Sequence, residues 1–477
     1  MNVLFISAEA VPFAKTGGLG DVIGSLPGEL INQDVDARVM LPLYKGVKEK
    51  YRESLVFQKD FPVDLGWRTC YCGLFSMEYN DVMYYFIDNE QYFLRDEYYG
   101  YYDDGERFAY FSKAALESLQ YLEFEPDVLH CSEWQSAMVP VFLNTLYQQE
   151  PQYKSLRTVF TIHNIEYQGV YGKEILQDLL GLNPEQASLL LMDGDVNFMK
   201  GAIVTCDRLT TVSPSYAEEI TYPFFAHGLH SIIEENRYKL SGIINGIDYK
   251  LYNPYRDKAL LVKYSKNSAP KKLLNKEALK AEVGLDTDTD APLIGMIGRL
   301  VEHKGLSLVT RVFDQMMDNG IQFILLGTGD AKFEQFFREK SMQYKGRVVA
   351  ITAFSSELAS RIYAGADLFL MPSISEPCGL AQMIALRYGT IPVVRATGGL
   401  KDSIVPYNPD TGKGNGVRFE SVNAHDMLDA VQRGLKLYQE PEHWHRLMQN
   451  AFKTDCSWKK SAIEYVELYE SLLRKDY

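Results

Sequence analysis

Val3-Leu4-Phe5-Ile6-Ser7-Ala8-Glu9-Ala10-Val11-Pro12-Phe13-Ala14-Lys15-Thr16-Gly17-Gly18-Leu19-Gly20-Asp21-Val22 decides the fold. Val3–Ser7 is a short apolar run and predicts a strand. Ala14–Asp21 is a Gly-rich turn with a cation, and the pattern over Asp21–Leu30 predicts a helix. Glycines let a backbone approach a ligand closely, and a helix N-terminus favours an anion such as phosphate. The spacing is neither G-x-G-x-x-G nor a P-loop, so the dinucleotide and Mg-ATP fingerprints are missing. A plain tight turn is the simpler reading, but a turn does not need Lys15.

The same alternation runs through the chain. Strands are predicted at Ala37–Leu41, Asp127–Cys131, Arg157–Ile162 and Leu209–Val212, with helices at Glu106–Tyr121, Glu133–Tyr147 and Pro214–Ile220. In the second half strands are predicted at Leu293–Ile297, Gln322–Leu326, Val348–Thr352, Leu368–Met371 and Pro392–Val394. Short apolar strands separated by amphipathic helices are the pattern of a doubly wound α/β fold. An antiparallel insertion is expected near Arg68–Ile87. Asn253–Thr289, rich in Lys and Asp, reads as a surface excursion just past a domain joint at Ser241–Asn245.

At 477 residues the chain exceeds one core, since domains run ~100–200 residues. Its 49 Lys and Arg against 63 Asp and Glu give a net charge of −14, which opposes nucleic acid and anionic membranes as partners. The six cysteines form no C-x-x-C, hence neither a zinc pattern nor a disulfide framework. Met1–Ile6 lacks a basic leader, and no apolar run reaches the ~18 residues of a membrane span. A cytoplasmic protein is expected.

Open parallel sheets bind ligands outside the carboxyl ends of their strands, and polar segments recur there. Gly298-Arg299-Leu300-Val301-Glu302-His303-Lys304-Gly305 sets two cations past a strand end, suited to a diphosphate or simply a solvated loop. Leu326-Gly327-Thr328-Gly329-Asp330 is a second, weaker phosphate-friendly loop. In Ser375-Glu376-Pro377-Cys378-Gly379-Leu380, Glu376 is read either as a helix cap or as an acceptor for sugar hydroxyls. His163, in Thr161-Ile162-His163-Asn164, ends an apolar strand and is either structural or in the crevice.

In their order, these segments resemble bacterial glycogen synthases, the ADP-glucose-dependent glycogen and starch synthase family. Val196–Ile203 (VNFMKGAI), Thr211–Ile220 (TVSPSYAEEI), Ile244–Asp248 (INGID), Glu376–Asp402, Asp88–Phe93 and Tyr101–Phe108 extend the resemblance over nearly the whole chain. It implies a GT-B type fold: an N-terminal Rossmann-like domain at 1–243, a donor-side domain at 244–455, and a segment at 456–477 crossing back. It further implies a retaining glucosyltransferase that moves glucose from ADP-glucose to the non-reducing 4-hydroxyl of an α-1,4-glucan, without cofactor or metal. Carried over by position, Lys15, Gly17, Gly18 and Asp21 meet the donor. Arg299 and Lys304 neutralise its diphosphate, with Gly327, Cys378, Gly379 and Leu380 beside it. His163 and Glu376 attend the glucosyl unit, and Glu133 and Asn164 lie near the sugar or acceptor. Phe354 stands where the family usually has a Tyr under the adenine.

No nucleophile and acid pair stands out among the matched motifs. Front-face attack through an oxocarbenium-like state is therefore expected, with a donor phosphate oxygen taking the acceptor proton. Glu133 replaces the family's usual Asp, and Ala381 its usual Thr. Tyr98, Tyr99, Tyr101 and Tyr102 are expected either on an acceptor surface or under the insertion. The alternatives are a UDP-glucose-using relative, a catalytically silent glucan-binding protein and, more remotely, a nicotinamide-dependent oxidoreductase.

Overall fold

The computed structural model describes residues 1–474; the end of the predicted crossing segment, 475–477, lies outside the described residues. Two compact units are present: Met1–Asn245 together with the chain from Trp458, and Gly246–Ser457.

The first unit is built on a nine-stranded sheet. Its strands are β1 (Asn2–Ile6), β2 (Asp36–Pro42), β3 (Val56–Leu65), β4 (Arg68–Tyr79), β5 (Val82–Asp88), β6 (Val128–Ser132) and β7 (Arg157–Ile162). A small sheet follows, formed by β8 (Val170–Tyr171), β9 (Leu191–Met192) and β10 (Asp195–Asn197). The main sheet then ends with β11 (Arg208–Thr211) and β12 (Leu240–Gly242). Its order is β12-β11-β7-β6-β1-β2-β5-β4-β3. Pairing is parallel except for β5–β4 and β4–β3. Val3–Ile6 are fully buried, which is why β1 reads as an unbroken apolar run. The order reverses at β1, between β6 and β2, so the crevice of this sheet opens beyond β1 and β6. Helix α1 (Gly18–Ile31) leaves that point.

The second unit carries a parallel six-stranded sheet of β13 (Leu293–Ile297), β14 (Gln322–Leu326), β15 (Val348–Ile351), β16 (Leu368–Met371), β17 (Ile391–Arg395) and β18 (Val417–Phe419). Its order is β15-β14-β13-β16-β17-β18, reversing between β13 and β16. Helices α2 (Lys272–Val283) and α3 (Ser356–Gly365) pack together beside it. The last helix, α4 (Trp458–Leu473), belongs to the first unit and lies against α1.

The antiparallel pair expected near Arg68–Ile87 is present as β4 and β5; β5 also pairs in parallel with β2, so β5, β4 and the unforeseen β3 extend the main sheet. Two expectations are corrected. No helix starts at Glu133, whose φ of +66° lies outside the helical region; a 3₁₀ turn at Trp134–Ser136 precedes the helix Met138–Thr145. Asn253–Thr289 is not merely a surface excursion, because α2 lies within it and buries Lys272, Lys276 and Lys280 with Leu279. All three hydrogen-bond acceptors of Lys272 Nζ are internal: the carbonyls of Tyr363 (3.1 Å) and Ala364 (2.7 Å), near the C-terminus of α3, and Thr390 Oγ1 (2.7 Å). Lys276 Nζ meets Asp367 Oδ2 at 2.6 Å. Long aliphatic stems let these residues line a core while their ammonium groups find oxygen. No helix among the described residues is long and apolar enough to cross a membrane.

Candidate functional site

In the first unit, the chain leaving β1 turns through Ala14–Gly17 into α1. Lys15 is exposed, and its Nζ lies 2.6 Å from Asp21 Oδ1. Burial pushes the Asp21 carboxyl up while Lys15 pulls it down. Glu9, buried beneath the turn, accepts from Thr16 N–H (2.6 Å), Thr16 Oγ1–H (2.6 Å), Gly17 N–H (3.3 Å) and the Tyr99 hydroxyl (2.8 Å). Of the two amides expected to meet phosphate, Gly17 N–H is thus already engaged. Gly18 N–H has no acceptor among the described residues. A Cβ built on Gly17 or Gly18 meets nothing within 4 Å, so the outer face of the turn is open.

Beyond β6 and β7, Glu133 is buried, and its Oε1 accepts the N–H groups of both His163 and Asn164, the latter at 2.9 Å. Burial pushes this carboxyl up to about 8, against the two amides that favour its ionised form. Glu133 therefore clamps the backbone of the T-I-H-N turn. Asn164 Oδ1 accepts from Glu166 N–H at 3.1 Å. His163 Nε2 is covered and has no hydrogen-bond partner among the described residues. Burial holds that imidazole down to about 3, so it is neutral at pH 7. Below this surface, His130 bridges the Tyr469 hydroxyl of α4 and Thr161 Oγ1, each at 2.6 Å.

In the second unit, the loops after β13 and β14 are zipped together. Leu300 N–H donates to Thr328 O (2.8 Å) and Asp330 N–H to Leu300 O (2.7 Å). Gly327 is required there, since a Cβ would sit 1.9 Å from Gly298 O. Arg299 is exposed and meets no acidic side chain among the described residues. Lys304 Nζ holds both oxygens of Glu376, at 2.9 and 2.7 Å, and Ser373 Oγ donates to the same carboxylate at 2.9 Å. Glu376 does not cap a helix, because the next one begins only at Ala381; the helix-cap reading of this residue is corrected, and its stabilising partner is Lys304. Residues 376–380 instead form a turn with Cys378 buried, Leu380 half-buried and Gly379 at φ +72°. Phe354, past the end of β15, is 92% exposed.

The structure thus gathers Lys15, Gly17, Gly18, Asp21, Glu133, His163 and Asn164 on one unit's strand ends. It gathers Arg299, Lys304, Gly327, Phe354, Glu376, Cys378, Gly379 and Leu380 on the other's. Sequence reading missed Glu9, Ser373 and Arg395, whose guanidinium donates to Ser373 O (2.8 Å) and Ile374 O (2.5 Å) and so shapes the turn that carries Glu376. Buried polar residues at strand ends were the available signal. Of the four tyrosines, Tyr102 is fully exposed, while Tyr99 reaches Glu9.

Residues 2–235 match the family model of the starch synthase catalytic domain, and residues 277–454 that of glycosyl transferases group 1. A glycogen synthase of Geobacillus thermodenitrificans is 48% identical over 100% of this chain and 99% of its own length. One from Bacillus cereus (strain B4264) is 48% identical over 99% and 100%. Among solved structures, the catalytic domain of starch synthase IV from Arabidopsis thaliana, bound to ADP and acarbose, superposes with a TM-score of 0.89 at 34% identity, covering 99% of each chain. Sucrose-phosphate synthase from Thermosynechococcus elongatus shares the fold at TM-score 0.61 and 16% identity, covering 99% of this chain and 98% of its own.

Proposed function

We infer the reaction from one premise: the chain belongs to the glycogen synthase family of glycosyltransferases. It is a glucosyltransferase of the two-domain GT-B class. The specific reading is transfer of glucose from ADP-glucose to the non-reducing 4-hydroxyl of an α-1,4-glucan, with retention. ADP and acarbose bound to the Arabidopsis relative support that donor and that acceptor class.

The observation that carries the reading is the Lys304–Glu376 pair, whose Lys304 stands on the loop after β13 that also carries the exposed Arg299. A leaving diphosphate gains negative charge as the glycosidic bond breaks. Arg299 and Lys304 act on that charge, and Lys304 shifts from Glu376 toward it, an interaction worth more in the transition state than in the ground state. Glu376, released in part, accepts from glucosyl hydroxyls. His163 stays neutral and offers its unpartnered Nε2 to the sugar, where a neutral imidazole either accepts or donates one hydrogen bond. On the first unit, Gly18 N–H and Lys15 present a face suited to an anion such as phosphate; on the second, Phe354 gives the adenine an open aromatic face. Attack occurs on the front face, with a donor phosphate oxygen taking the acceptor proton.

The test is glucose incorporation into glycogen with ADP-glucose and UDP-glucose side by side, for wild type and Lys304→Ala. ADP-glucose-dependent elongation that falls ~10²–10³-fold in the variant is the expected result. Preference for UDP-glucose overturns the donor, and no incorporation by folded protein points to a silent glucan-binding chain.

A further inference from the structure

We propose that Glu9 is the positioning residue of the Lys15–Gly18 turn, with Tyr99 as its anchor; this rests on the reading of that turn as a phosphate-binding element. A carboxylate offers about four lone-pair sites, and those of Glu9 receive four donors: Thr16 N–H, Gly17 N–H, Thr16 Oγ1–H and Tyr99 O–H, at 2.6, 3.3, 2.6 and 2.8 Å. No acceptor site is left for a substrate, and the side chain is buried. Its work is therefore done on the chain. The turn needs it, because its outer face has nothing packed on it. Two adjacent glycines lose more conformational freedom on ordering than any other residues. Asp21 holds the Lys15 ammonium, while Glu9 holds the Thr16 and Gly17 backbone from beneath and so fixes the direction in which Gly18 N–H and the Lys15 stem leave the turn. Tyr99 reaches Glu9 from a segment that Arg107 secures separately: buried Arg107 donates to Tyr92 O (2.8 Å) and Tyr98 O (3.2 Å). The anchor is thereby independent of the turn it steadies.

A part that merely stabilises the fold loses activity independently of Lys15. A positioning residue does not, since Lys15 loses its value once the turn is loose. The experiment measures kcat and KM for ADP-glucose at saturating glycogen in Glu9→Ala, Glu9→Gln, Tyr99→Phe and Lys15→Ala, and in Lys15→Ala combined with Glu9→Ala or Tyr99→Phe. Glu9→Ala is expected to lower donor kcat/KM about a hundredfold, while the glycogen KM, measured separately at saturating ADP-glucose, stays within about twofold of wild type. Glu9→Gln, which keeps an acceptor oxygen for the turn amides, recovers at least a third of the wild-type value. Each double variant stays within threefold of its worse single variant. Losses that multiply in the doubles, or a Glu9→Ala enzyme within threefold of wild type, overturn the proposal. Should Glu9→Ala not fold, Tyr99→Phe, which keeps the ring, decides through its own cycle with Lys15→Ala. A wild type inactive with ADP-glucose overturns the reading of the donor itself, a failure visible before any variant is compared.

Discussion

Replacing Lys304 with Met removes a charge and keeps most of the stem. In the wild type, Glu376 retains 8% of its side-chain exposure and Lys304 22%, so the carboxylate is the more deeply placed partner. Breaking a fully buried pair by deleting one side costs about 3–5 kcal/mol. The residual exposure of Lys304 admits water to the vacated position, and about 2–3 kcal/mol is the corresponding figure here. Ser373 Oγ–H, at 2.9 Å, remains as a neutral donor. The penalty belongs to the ionised carboxylate alone. Adding Glu376→Gln removes the stranded charge and restores all but ~1 kcal/mol. Urea-dependent hydrogen exchange on the peptides of β13 and β16 isolates the second unit. No deficit in Lys304→Met, or a double variant no more stable than the single one, refutes the reasoning.

Burial pulls the Lys272 ammonium down to about 7, whereas an unfolded Lys titrates near 10.4. The unfolded chain then binds the extra proton between these values, so stability of the second unit rises from pH 7 to 10 by up to about 1.4 kcal/mol per unit; hydrogen exchange on α2 reads that slope, and Lys272→Met flattens it. Phe354→Ala removes a side chain that is 92% exposed, so thermal stability is unchanged while ADP affinity falls about tenfold, the value of ~1.4 kcal/mol of aromatic stacking; calorimetric titration with ADP checks it, and an unaltered affinity removes Phe354 from the donor site.

What was legible follows from period and punctuation. β7, β13, β14 and β16 coincide with their predicted ranges because buried parallel strands are unbroken apolar runs bounded by polar residues. Charged residues inside the core gave no such signal. Lys272, Lys276 and Lys280 recur at helical spacing, yet composition alone places lysine on a surface, and only the oxygens supplied by α3, Thr390 and Asp367 explain their burial. Glu9 was obscured for a related reason, and Glu133 was singled out without its role. Each acts through backbone amides, of Thr16 and Gly17 or of His163 and Asn164, and amide partners leave no trace in residue identity. The exposed cations at strand ends, Lys15 and Arg299, were legible because nothing in a core requires them there, and Phe354 was legible only through the family resemblance.

The first unit is completed by residues made after the whole of the second. During synthesis Gly246–Ser457 emerges as a continuous stretch and has all its strands before α4 exists. The first unit meanwhile waits with His130 and its Thr161 partner uncovered, because Tyr465 and Tyr469 arrive only with the final helix. Domains fold as units while the ribosome works, so the order of birth and the order of maturation are inverted in this protein. A chain released after Ser457 leaves a second unit with all its residues joined to a first unit whose floor is open.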